Sequence, residues 1–533
     1  MKSLLSFNFT VIAKGARLCL APLAIFYLLI FSPFNIFSQQ TYFEKRFDFN
    51  NNFDQSQNIL AIDSGYIITG ITEDVNYYYQ FHLSITKISF SGDELFHKEY
   101  GYDSINFYVG NPGSIIKFGN KKYFSCGGKR IYTDNWVHDE GMLVCYNDKF
   151  DTLWTHLYGE KNQPYDSIYF FYQFKKTLDN SLIFTGLLMP NGPPQRIWLL
   201  KTDSLGNKLW ERFYGEGNEY FQGHSVVQTG DGGYVIGGFK FKIGYNYTGD
   251  PLIIKVDSLG NEEWRINPGN PNVNDNKVMV ALASDGNIIA GTNFGVVQNG
   301  DNRDAENKIM KISFNGQIIW SYNYGESKPD NFLLNTTVLL NGNIISNGSY
   351  TSYYQGEQFP ITTSWILCVD SLGNQLWYKE YALLTGHNSF NDLYDVRETA
   401  DGGLIGVGKV DPVVPDTGTA DIWVMKMDSL GCLWEGCDTT VDVVETVWGS
   451  GNSFKLYPNP VSDAFTIKPE NETTQKQTFT VFNMYGTKVK EVVISPGSQS
   501  IRVQTNGWPG GVYLGVLSSK GKMMASKRFV VTK

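Results

Sequence analysis

The stretch IIKVDSLGNEEW (residues 253–264) decides the fold, because closely similar stretches recur along the chain. Two apolar runs flank a short turn, and the second run ends in Trp, which is the pattern of a β-hairpin. A recurring hairpin predicts a fold built from one repeated unit. The other clear copies are LLKTDSLGNKLW (199–210), IMKISFNGQIIW (309–320), ILCVDSLGNQLW (366–377) and VMKMDSLGCLW (424–434).

Seven copies of this hairpin follow one another at intervals of 54 to 59 residues. The regular period predicts an array of seven similar units. The turn position is held in successive copies by Gly92, Asp151, Gly206, Gly260, Gly316, Gly373 and Gly431. A large aromatic residue follows each turn within four positions, namely Phe96, Trp154, Trp210, Trp264, Trp320, Trp377 and Trp434.

A second hairpin precedes the first one in each copy. In the fourth copy it reads SVVQTGDGGYVIGGF (225–239), and in the seventh DVRETADGGLIGVG (395–408). Asp-Gly between apolar runs favours a tight turn, because Gly accepts the positive φ that such turns require. Each copy thus contains four strands, named A to D in chain order. Strands A and B form the hairpin with the Asp-Gly turn, and strands C and D form the hairpin that carries the Trp. The sequence predicts an all-β chain, with a seven-bladed β-propeller over residues 39–437 and a small β-sandwich after it. A β-solenoid is the alternative, although its repeats are usually shorter.

The two ends of the repeat array indicate how a ring would close. Residues 42–49, YFEKRFDF, look like a D strand that has no A, B or C strand before it. The seventh copy ends in the short CLWEGC (432–437) as its own D strand. We therefore expect residues 42–49 to pair as a strand near residues 422–437, which would remove open sheet edges.

The D-x-x-G-x-x-x-W core of the hairpins resembles the tryptophan-docking repeat of quinoprotein-like propellers, with one residue fewer between Asp and Gly. In that family the Trp packs between neighbouring blades. The resemblance therefore implies a structural role for six of the 12 Trp residues. Quinoprotein dehydrogenases also have a cofactor pocket and often a pair of adjacent cysteines, which this chain lacks. The resemblance thus covers the scaffold alone, and no cofactor is predicted.

Composition and motifs exclude several functions. The formal net charge is −9 and no basic stripe is present, which argues against binding to nucleic acid. The chain contains no nucleophile elbow, HExxH motif, phosphate loop or EF-hand loop. Its six histidines are scattered through several repeats without metal-ligand spacing. The sequence therefore predicts no catalytic residues and no metal site, and it favours a protein that is not an enzyme.

The N-terminus has the pattern of a secretory signal. Basic residues precede an apolar run, Leu18–Phe31, and the small residue Ser38 follows it. We predict that residues 1–38 are a signal peptide cleaved close to Ser38. The alternative is an uncleaved anchor, which Pro33 disfavours because it interrupts the run early. No other segment approaches the ~20 apolar residues of a membrane helix, so no transmembrane segment is expected in the mature chain.

Removal of the signal peptide would leave five cysteines, an odd number for an exported chain. Cys432 and Cys437 bracket a short loop at the end of the last repeat, and we expect a disulfide between them. Cys126 and Cys145 lie on successive predicted strands and could form a second one. The alternative for Cys145 and Cys368 is that each is a small packed side chain.

The composition changes after residue 437. Residues 438–453 are small, polar and slightly acidic, which is typical of a linker. Residues 454–533 contain about seven short strands, compatible with a small sandwich. Their LYPNP, F-N-x-x-G and G-x-Y motifs, with a final Lys-rich strand, resemble the type A C-terminal sorting domain (Por secretion tail) of type IX secretion cargo. The residues matching its first and last motifs are Leu456, Tyr457, Pro458, Asn459, Pro460, Gly511 and Tyr513.

The resemblance to the sorting domain implies a route of export. The signal peptide would direct the chain through the inner membrane, and the type IX secretion machinery would move it across the outer membrane. In that family the domain is usually cleaved off, and the cargo is released or attached to the surface. We therefore predict a protein that is secreted or displayed on the cell surface.

Binding is expected on one face of the propeller, where the B–C and D–A loops are long and variable. Variable loops on a rigid scaffold commonly carry function, and tyrosines among polar residues suit glycan or protein ligands. The alternative is that these aromatic side chains only cover blade edges. The candidate ligand-face residues are Tyr77, Tyr78, Tyr132, Trp136, Tyr245, Tyr247, Tyr353 and Tyr354.

A polysaccharide hydrolase or lyase is the alternative function. Its carboxylates would come from the same long-loop face, and two of them would have to lie about 5 to 10 Å apart. The acidic residues available there are Asp74, Asp134, Asp139 and Asp250.

Overall fold

The structure is a computed structural model that divides into two compact units, Met1–Glu435 and Gly436–Lys533. It describes residues 41–532 with gaps, so the predicted signal peptide and linker lie outside the described residues. The gaps are 50, 75–78, 103–104, 134–135, 160–166, 191–193, 243–248, 271–272, 274, 299–300, 353–360, 385–388, 412–417, 435–436, 438–453, 459–460, 470–474, 484–487, 499 and 520–521.

The described part of the first unit contains strands and no α-helix, which confirms the all-β prediction. Its strands are β1 (Phe43–Phe47), β2 (Asp54–Ile62), β3 (Gly65–Glu73), β4 (Phe81–Ile88), β5 (Glu94–Tyr100), β6 (Ile105–Val109), β7 (Ile115–Phe118), β8 (Lys122–Thr133), β9 (Trp136–Tyr146), β10 (Thr152–Tyr158), β11 (Ile168–Lys176), β12 (Leu182–Met189), β13 (Arg196–Thr202), β14 (Lys208–Tyr214), β15 (Tyr220–Gln228), β16 (Tyr234–Phe241), β17 (Gly249–Val256), β18 (Glu262–Ile266), β19 (Met279–Leu282), β20 (Ile288–Gln298), β21 (Asp301–Ile312), β22 (Ile318–Pro329), β23 (Phe332–Val338), β24 (Ile344–Ser352), β25 (Ile361–Val369), β26 (Gln375–Tyr381), β27 (Phe390–Glu398), β28 (Leu404–Asp411) and β29 (Asp421–Met427).

These strands form six sheets. Four sheets take four consecutive strands each, β2–β5, β15–β18, β19–β22 and β23–β26. A fifth consists of β27–β29 completed by β1, and β6–β14 form one nine-stranded sheet. The pairing therefore differs from the prediction of separate four-stranded sheets in one place. There a parallel contact, Ile168 opposite Asp139, joins β11–β14 to β6–β10. The segment 110–114 also divides the A strand of the second repeat into β6 and β7.

The N-terminal strand pairs with the last strand of the unit. β1 runs antiparallel to β29, with Phe43 opposite Lys426 and Phe47 opposite Ile422. This confirms the expected pairing of residues 42–49 near residues 422–437. Residues 432–434, in contrast, form no strand. The seventh repeat therefore takes its fourth strand from the beginning of the chain and not from CLWEGC.

The apolar core of the first unit lies between consecutive repeats. Each of seven clusters among its described residues combines side chains from two neighbouring repeats, and one joins the first repeat to the last. Trp154, Trp210, Trp264, Trp320 and Trp377 each pack against one of them.

Trp434 does not follow this pattern. The resemblance implied that all six repeat tryptophans pack between repeats, and for Trp434 this is wrong. Its side chain is 64% exposed. The described residues 432–434 form no strand, because β1 occupies the position beside β29 that the D strand of this repeat would take. Phe43 pairs with Lys426 in the strand ladder, just as Trp320 pairs with Lys311. Phe43 therefore occupies the position that Trp holds in other repeats.

A Tyr–turn contact links each of several repeats to the next. The turn glycines have positive φ, for example +88° at Gly373, which disfavours other residues. A tyrosine near the end of the preceding D strand donates a hydrogen bond to a carbonyl of that turn. The pairs are Tyr158 with Gly206 (2.7 Å), Tyr214 with Gly260 (2.7 Å), Tyr324 with Gly373 (2.7 Å), Tyr381 with Gly431 (2.8 Å) and Tyr100 with Phe150.

A buried lysine stabilises several of the A–B turns. Lys255 has no exposed side-chain surface, and its Nζ lies 2.9 Å from Asp231 and 2.7 Å from Glu263. Hydrogen bonds to two carboxylates offset the cost of burying the charge. The same Lys–Asp pair recurs at Lys201 and Asp179 (2.7 Å), Lys311 and Asp285 (2.6 Å), and Lys426 and Asp401 (3.0 Å).

The cysteines divide into two groups. Cys432 and Cys437 are both disulfide-bonded, whereas Cys126, Cys145 and Cys368 are buried free thiols. The possible bond between Cys126 and Cys145 is therefore wrong. Cys126 lies opposite Leu143, and Cys145 lies opposite Phe124. The two thiols are thus diagonal neighbours, about 7–8 Å apart at Cα, which is too far for disulfide geometry.

The second unit consists of two small sheets. β30, β31 and β34 form one sheet, and β33, β32, β35 and β36 form the other. Phe465, Phe479 and Phe529 are fully or almost fully buried in its core. The strands are β30 (Phe454–Tyr457), β31 (Ala464–Pro469), β32 (Gln477–Asn483), β33 (Lys488–Ile494), β34 (Ile501–Gln504), β35 (Gly511–Ser519) and β36 (Lys522–Val531).

Candidate functional site

The predicted ligand-face residues lie almost entirely outside the described residues. Tyr132 and Trp136 alone fall in strands, at the tip of the β8–β9 hairpin, where Thr133 is opposite Trp136. Both lie on the hairpin that joins the B and C strands of the second repeat. The other six, Tyr77, Tyr78, Tyr245, Tyr247, Tyr353 and Tyr354, are in the gaps of the description.

Three of the four acidic residues considered for catalysis are described, and each of these three has a basic neighbour. Asp74 lies 3.1 Å from His82 Nε2. Asp139 is buried and accepts two hydrogen bonds from Arg130, at 2.7 and 2.6 Å. Asp250 lies 3.8 Å from Lys240. Asp134 is outside the described residues. The three described carboxylates therefore stabilise the ends of their B–C hairpins.

A belt of buried polar side chains runs along the A strands. Five A strands contain a β-bulge, and a bulge redirects the side chains around it. The residue after each bulge is polar and buried, namely Asn58, Gln173, Ser225, Asn335 or Asp395. Four of them accept a hydrogen bond from a backbone amide of the following repeat, with Ser114 bonding Asn58 (2.7 Å), Val226 bonding Gln173 (3.0 Å), Val280 bonding Ser225 (2.9 Å) and Ile59 bonding Asp395 (3.1 Å).

The last of these contacts joins the two ends of the repeat array. Asp395 belongs to the seventh repeat and Ile59 to the first. The Asn335 side chain also donates to Asp395, at 2.9 Å. One carboxylate thus connects three repeats, and the A strands of the first and last repeats are neighbours.

Polar side chains from several repeats meet around the segment 111–113. The Asn111 amide donates to His224 Nδ1 at 3.1 Å. The Tyr172 ring lies over the His224 ring, with centroids 4.4 Å apart. The pKa of His224 is lowered well below its usual value, first by burial and then by the positive charge of Lys277. The imidazole is therefore neutral and contributes an uncharged polar side chain.

Two cations converge at Gly113, whose φ is +88°. A Cβ built on this glycine would lie 2.7 Å from Lys175 Nζ and 3.0 Å from Arg397 Nη2. Lys175 comes from the third repeat and Arg397 from the seventh. Burial, followed by the charge of Arg397, lowers the pKa of Lys175 to about 8. Burial lowers the pKa of Lys277 to about 8 as well.

The inner cluster is defined here as Asn111, Tyr172, Lys175, His224, Lys277 and Arg397. Lys175 and Lys277 are half-buried, and Arg397 is oriented by Asp395, 2.9 Å away. Cations held at low solvent exposure attract an anion more strongly than surface cations do. Lys175 and Arg397, which converge at Gly113, can therefore hold a carboxylate, sulfate or phosphate group between them. Sequence reasoning missed it, although the break in the A strand of the second repeat was a visible irregularity.

The residues of the sorting motif lie in the second unit. Leu456 is buried in its core, whereas Tyr457 is half exposed. Tyr513 is buried, and its hydroxyl donates to Pro509 O at 2.8 Å. Gly511 begins β35 with φ +154°. Pro458 is exposed, and Asn459 and Pro460 lie outside the description.

Residues 455–532 match the family model described as the secretion system C-terminal sorting domain. This match supports a cargo protein of type IX secretion. It indicates export to the cell surface or beyond it, and an interaction with the type IX machinery. No helix in the described residues is long and apolar enough to cross a membrane.

No curated protein is significantly similar to this chain. Solved structures resemble it only distantly. A protein of unknown function from Dyadobacter fermentans is 9% identical, with a TM-score of 0.40, over 61% of this chain and 100% of that one. The polysaccharide lyase Uly1 is 8% identical, with a TM-score of 0.43, over 73% and 100%. The GH93 α-L-arabinofuranosidase of Fusarium graminearum is 10% identical, with a TM-score of 0.37, over 70% and 93%. Such weak likeness carries no argument about activity.

Proposed function

We propose that the first unit is a closed seven-bladed β-propeller, in which the nine-stranded sheet supplies two blades. The apolar clusters between consecutive repeats support this proposal, as does the cluster that joins the first repeat to the last. The hydrogen bond from Ile59 to Asp395 supports it independently. A ring of blades also explains why side chains from the second, third and seventh repeats converge at Gly113.

We further propose that the exported propeller is a non-catalytic binding module for an extracellular polymer or protein that carries anionic groups. The observation that carries this proposal is the convergence of Lys175 and Arg397 at Gly113. The protein as a whole is acidic, so the half-buried cations Lys175 and Arg397 are a local feature and do not belong to a generally basic surface. The predicted aromatic B–C loops would contact neutral parts of the same ligand.

The binding proposal can be tested with the mature chain, residues 39–533, on an array of uronate-bearing, sulfated and neutral glycans. We expect acidic glycans to bind and Lys175→Met to weaken their binding about 30-fold or more, because loss of one desolvated charge contact costs about 2 kcal/mol or more. Lys208→Met is the control, because Lys208 is 55% exposed and lies in the D strand β14, outside both the inner cluster and the B–C loops. Equal binding of neutral glycans would contradict the proposal. Release of reducing ends would show catalysis and favour the hydrolase or lyase alternative.

Export can be tested separately in a host that has type IX secretion. We expect truncation after Cys437 to leave a folded propeller in the periplasm with unchanged glycan binding. Tyr513→Ala should reduce export of the full chain, because the ring is packed in the core of the second unit. Val493→Ala is the control, since that side chain is 48% exposed on the same unit. Normal levels of truncated protein in the medium would contradict the role of the sorting domain.

A further inference from the structure

Three carboxylates meet where β1, β2 and β29 come together. Asp48 follows β1, Asp54 begins β2, and Asp421 begins β29. One oxygen from each lies within 4.8 Å of the other two. Asp54 and Asp421 have no exposed surface, whereas Asp48 is exposed. Buried like charges this close repel each other strongly unless something neutralises them.

Hydrogen-bond donors are present for only some of these carboxylate oxygens. Arg46 donates to Asp421 Oδ2. The Phe49 amide donates to Asp54 Oδ2 at 2.7 Å. Within the described part of the chain, Asp54 Oδ1 and Asp421 Oδ1 are buried and meet no hydrogen-bond donor. An unpaired buried carboxylate oxygen is costly, and a cation in the shared space would give both oxygens a partner.

We propose that Asp48, Asp54 and Asp421 bind a divalent cation of the calcium class. The donors are all carboxylate oxygens, which such hard cations prefer. Ca²⁺ holds its ligands at about 2.3–2.6 Å, so two of them can stand up to ~5 Å apart. Three oxygens within 4.8 Å of one another fit that size. Mg²⁺ gives up its water ligands reluctantly and usually keeps several of them, which a site with two fully buried carboxylates does not favour. The exposed side of Asp48 leaves room for water ligands and for entry of the ion.

The bound ion would tie together three segments that are distant in sequence. Asp48 fixes the end of the N-terminal strand, Asp54 the first sheet and Asp421 the last sheet. The ion would therefore stabilise the seam between the two ends of the repeat array. Extracellular calcium modules commonly bind with Kd of about 10⁻⁴–10⁻³ M, which suits a protein that is loaded after export.

The test uses the mature full chain, residues 39–533, freed of metal with EDTA. Isothermal titration with Ca²⁺ should show one ion per chain, and Ca²⁺ should raise the Tm more than equal Mg²⁺ does. Asp421→Asn should abolish binding. Asp48→Asn should weaken it by about tenfold or more, because ligand charge sets affinity. Since Asp48 is exposed, this variant is expected to fold even if Asp421→Asn does not.

Asp63→Asn is the matched control, because Asp63 lies in the first repeat but is exposed and pairs with Lys117 at 2.7 Å. It should bind Ca²⁺ like the unmodified chain. Absence of Ca²⁺ binding, equal affinity in Asp48→Asn, or equal stabilisation by Mg²⁺ would each overturn the proposal.

Discussion

Phe43 lies against Gly92, the turn glycine of the first repeat. A Cβ built on Gly92 would come within 2.7 Å of the Phe43 ring, and one on Gly373 would come within 3.2 Å of Trp320. Phe43 therefore packs the seventh repeat against the turn glycine of the next repeat, as Trp320 does for the fifth repeat. It is the apolar contact by which β1 joins the last repeat to the first.

Phe43→Ala should lower the free energy of unfolding of the first unit by about 2 kcal/mol, because a partly buried ring is lost from an apolar cluster. Urea denaturation followed by Trp fluorescence measures this change. Phe213→Ala, which removes a ring that is 44% exposed, should cost less than about 0.5 kcal/mol. Equal losses in the two variants would show that β1 does not stabilise the unit through this contact.

Tyr324→Phe tests the bond between consecutive repeats. The Tyr324 hydroxyl is buried and donates to Gly373 O at 2.7 Å. Its removal leaves the carbonyl without that donor, so we expect a loss of about 1–2 kcal/mol in unfolding free energy. Tyr322→Phe, two residues earlier and 49% exposed, is the control and should be nearly neutral. If both variants unfold at the same urea concentration, the Tyr–turn contact is not stabilising.

Asp231→Asn tests the Lys–Asp pairs of the A–B turns. Burial raises the pKa of Asp231, but hydrogen bonds from Thr229 and Lys255 outweigh it, and the net pKa is lowered. A lowered folded pKa stabilises the protein above the unfolded value of about 4, and this stability is lost as the pH falls through the folded pKa.

We therefore expect Asp231→Asn to cost about 1–3 kcal/mol at pH 7 and much less at pH 2, as measured by urea denaturation at both values. Asp148→Asn is the control, because Asp148 is an exposed carboxylate elsewhere in the unit. A loss for Asp231→Asn that is the same at both pH values would contradict an ionic contribution.

Binding of an anionic ligand should depend on pH through Lys175 and Lys277. The pKa of each is lowered to about 8, mainly by burial. Each lysine therefore loses its charge as the pH rises through about 8, and affinity for an acidic glycan should fall between pH 7 and pH 9. Calorimetry at the two pH values measures the change. The double variant Lys175→Met, Lys277→Met should show weak binding that no longer varies, whereas unchanged affinity of the unmodified protein would contradict the assignment.

The repeat could be predicted from sequence because its signals are local. A turn glycine, an Asp and a Trp lie within one hairpin, so each copy shows the whole pattern. The pairing of β1 with β29 could also be predicted, since residues 42–49 lack partners nearby. The exposure of Trp434 could not be predicted, because it depends on β1 taking the place of the fourth strand in the last sheet.

The two ligand sites depend on residues from distant repeats. Lys175 and Arg397 meet only because their A strands converge at Gly113, and neither belongs to a motif. Asp48 and Asp421 are similarly joined only by the pairing of the first and last strands. The side chains of the predicted aromatic loops lie outside the described residues, so that prediction stays a prediction.

The pairing of β1 with β29 has a consequence for how the protein folds. Glu44 and Trp423, bonded at 3.1 Å, are 379 residues apart in the chain. Contacts between such distant residues form late, because closing so long a loop costs entropy. Until β1 arrives, the outer strand of the last sheet offers unpaired backbone groups that the β1 of a second molecule would also satisfy. Refolding at high protein concentration therefore competes with strand exchange between molecules, and dilution during purification should favour the monomer.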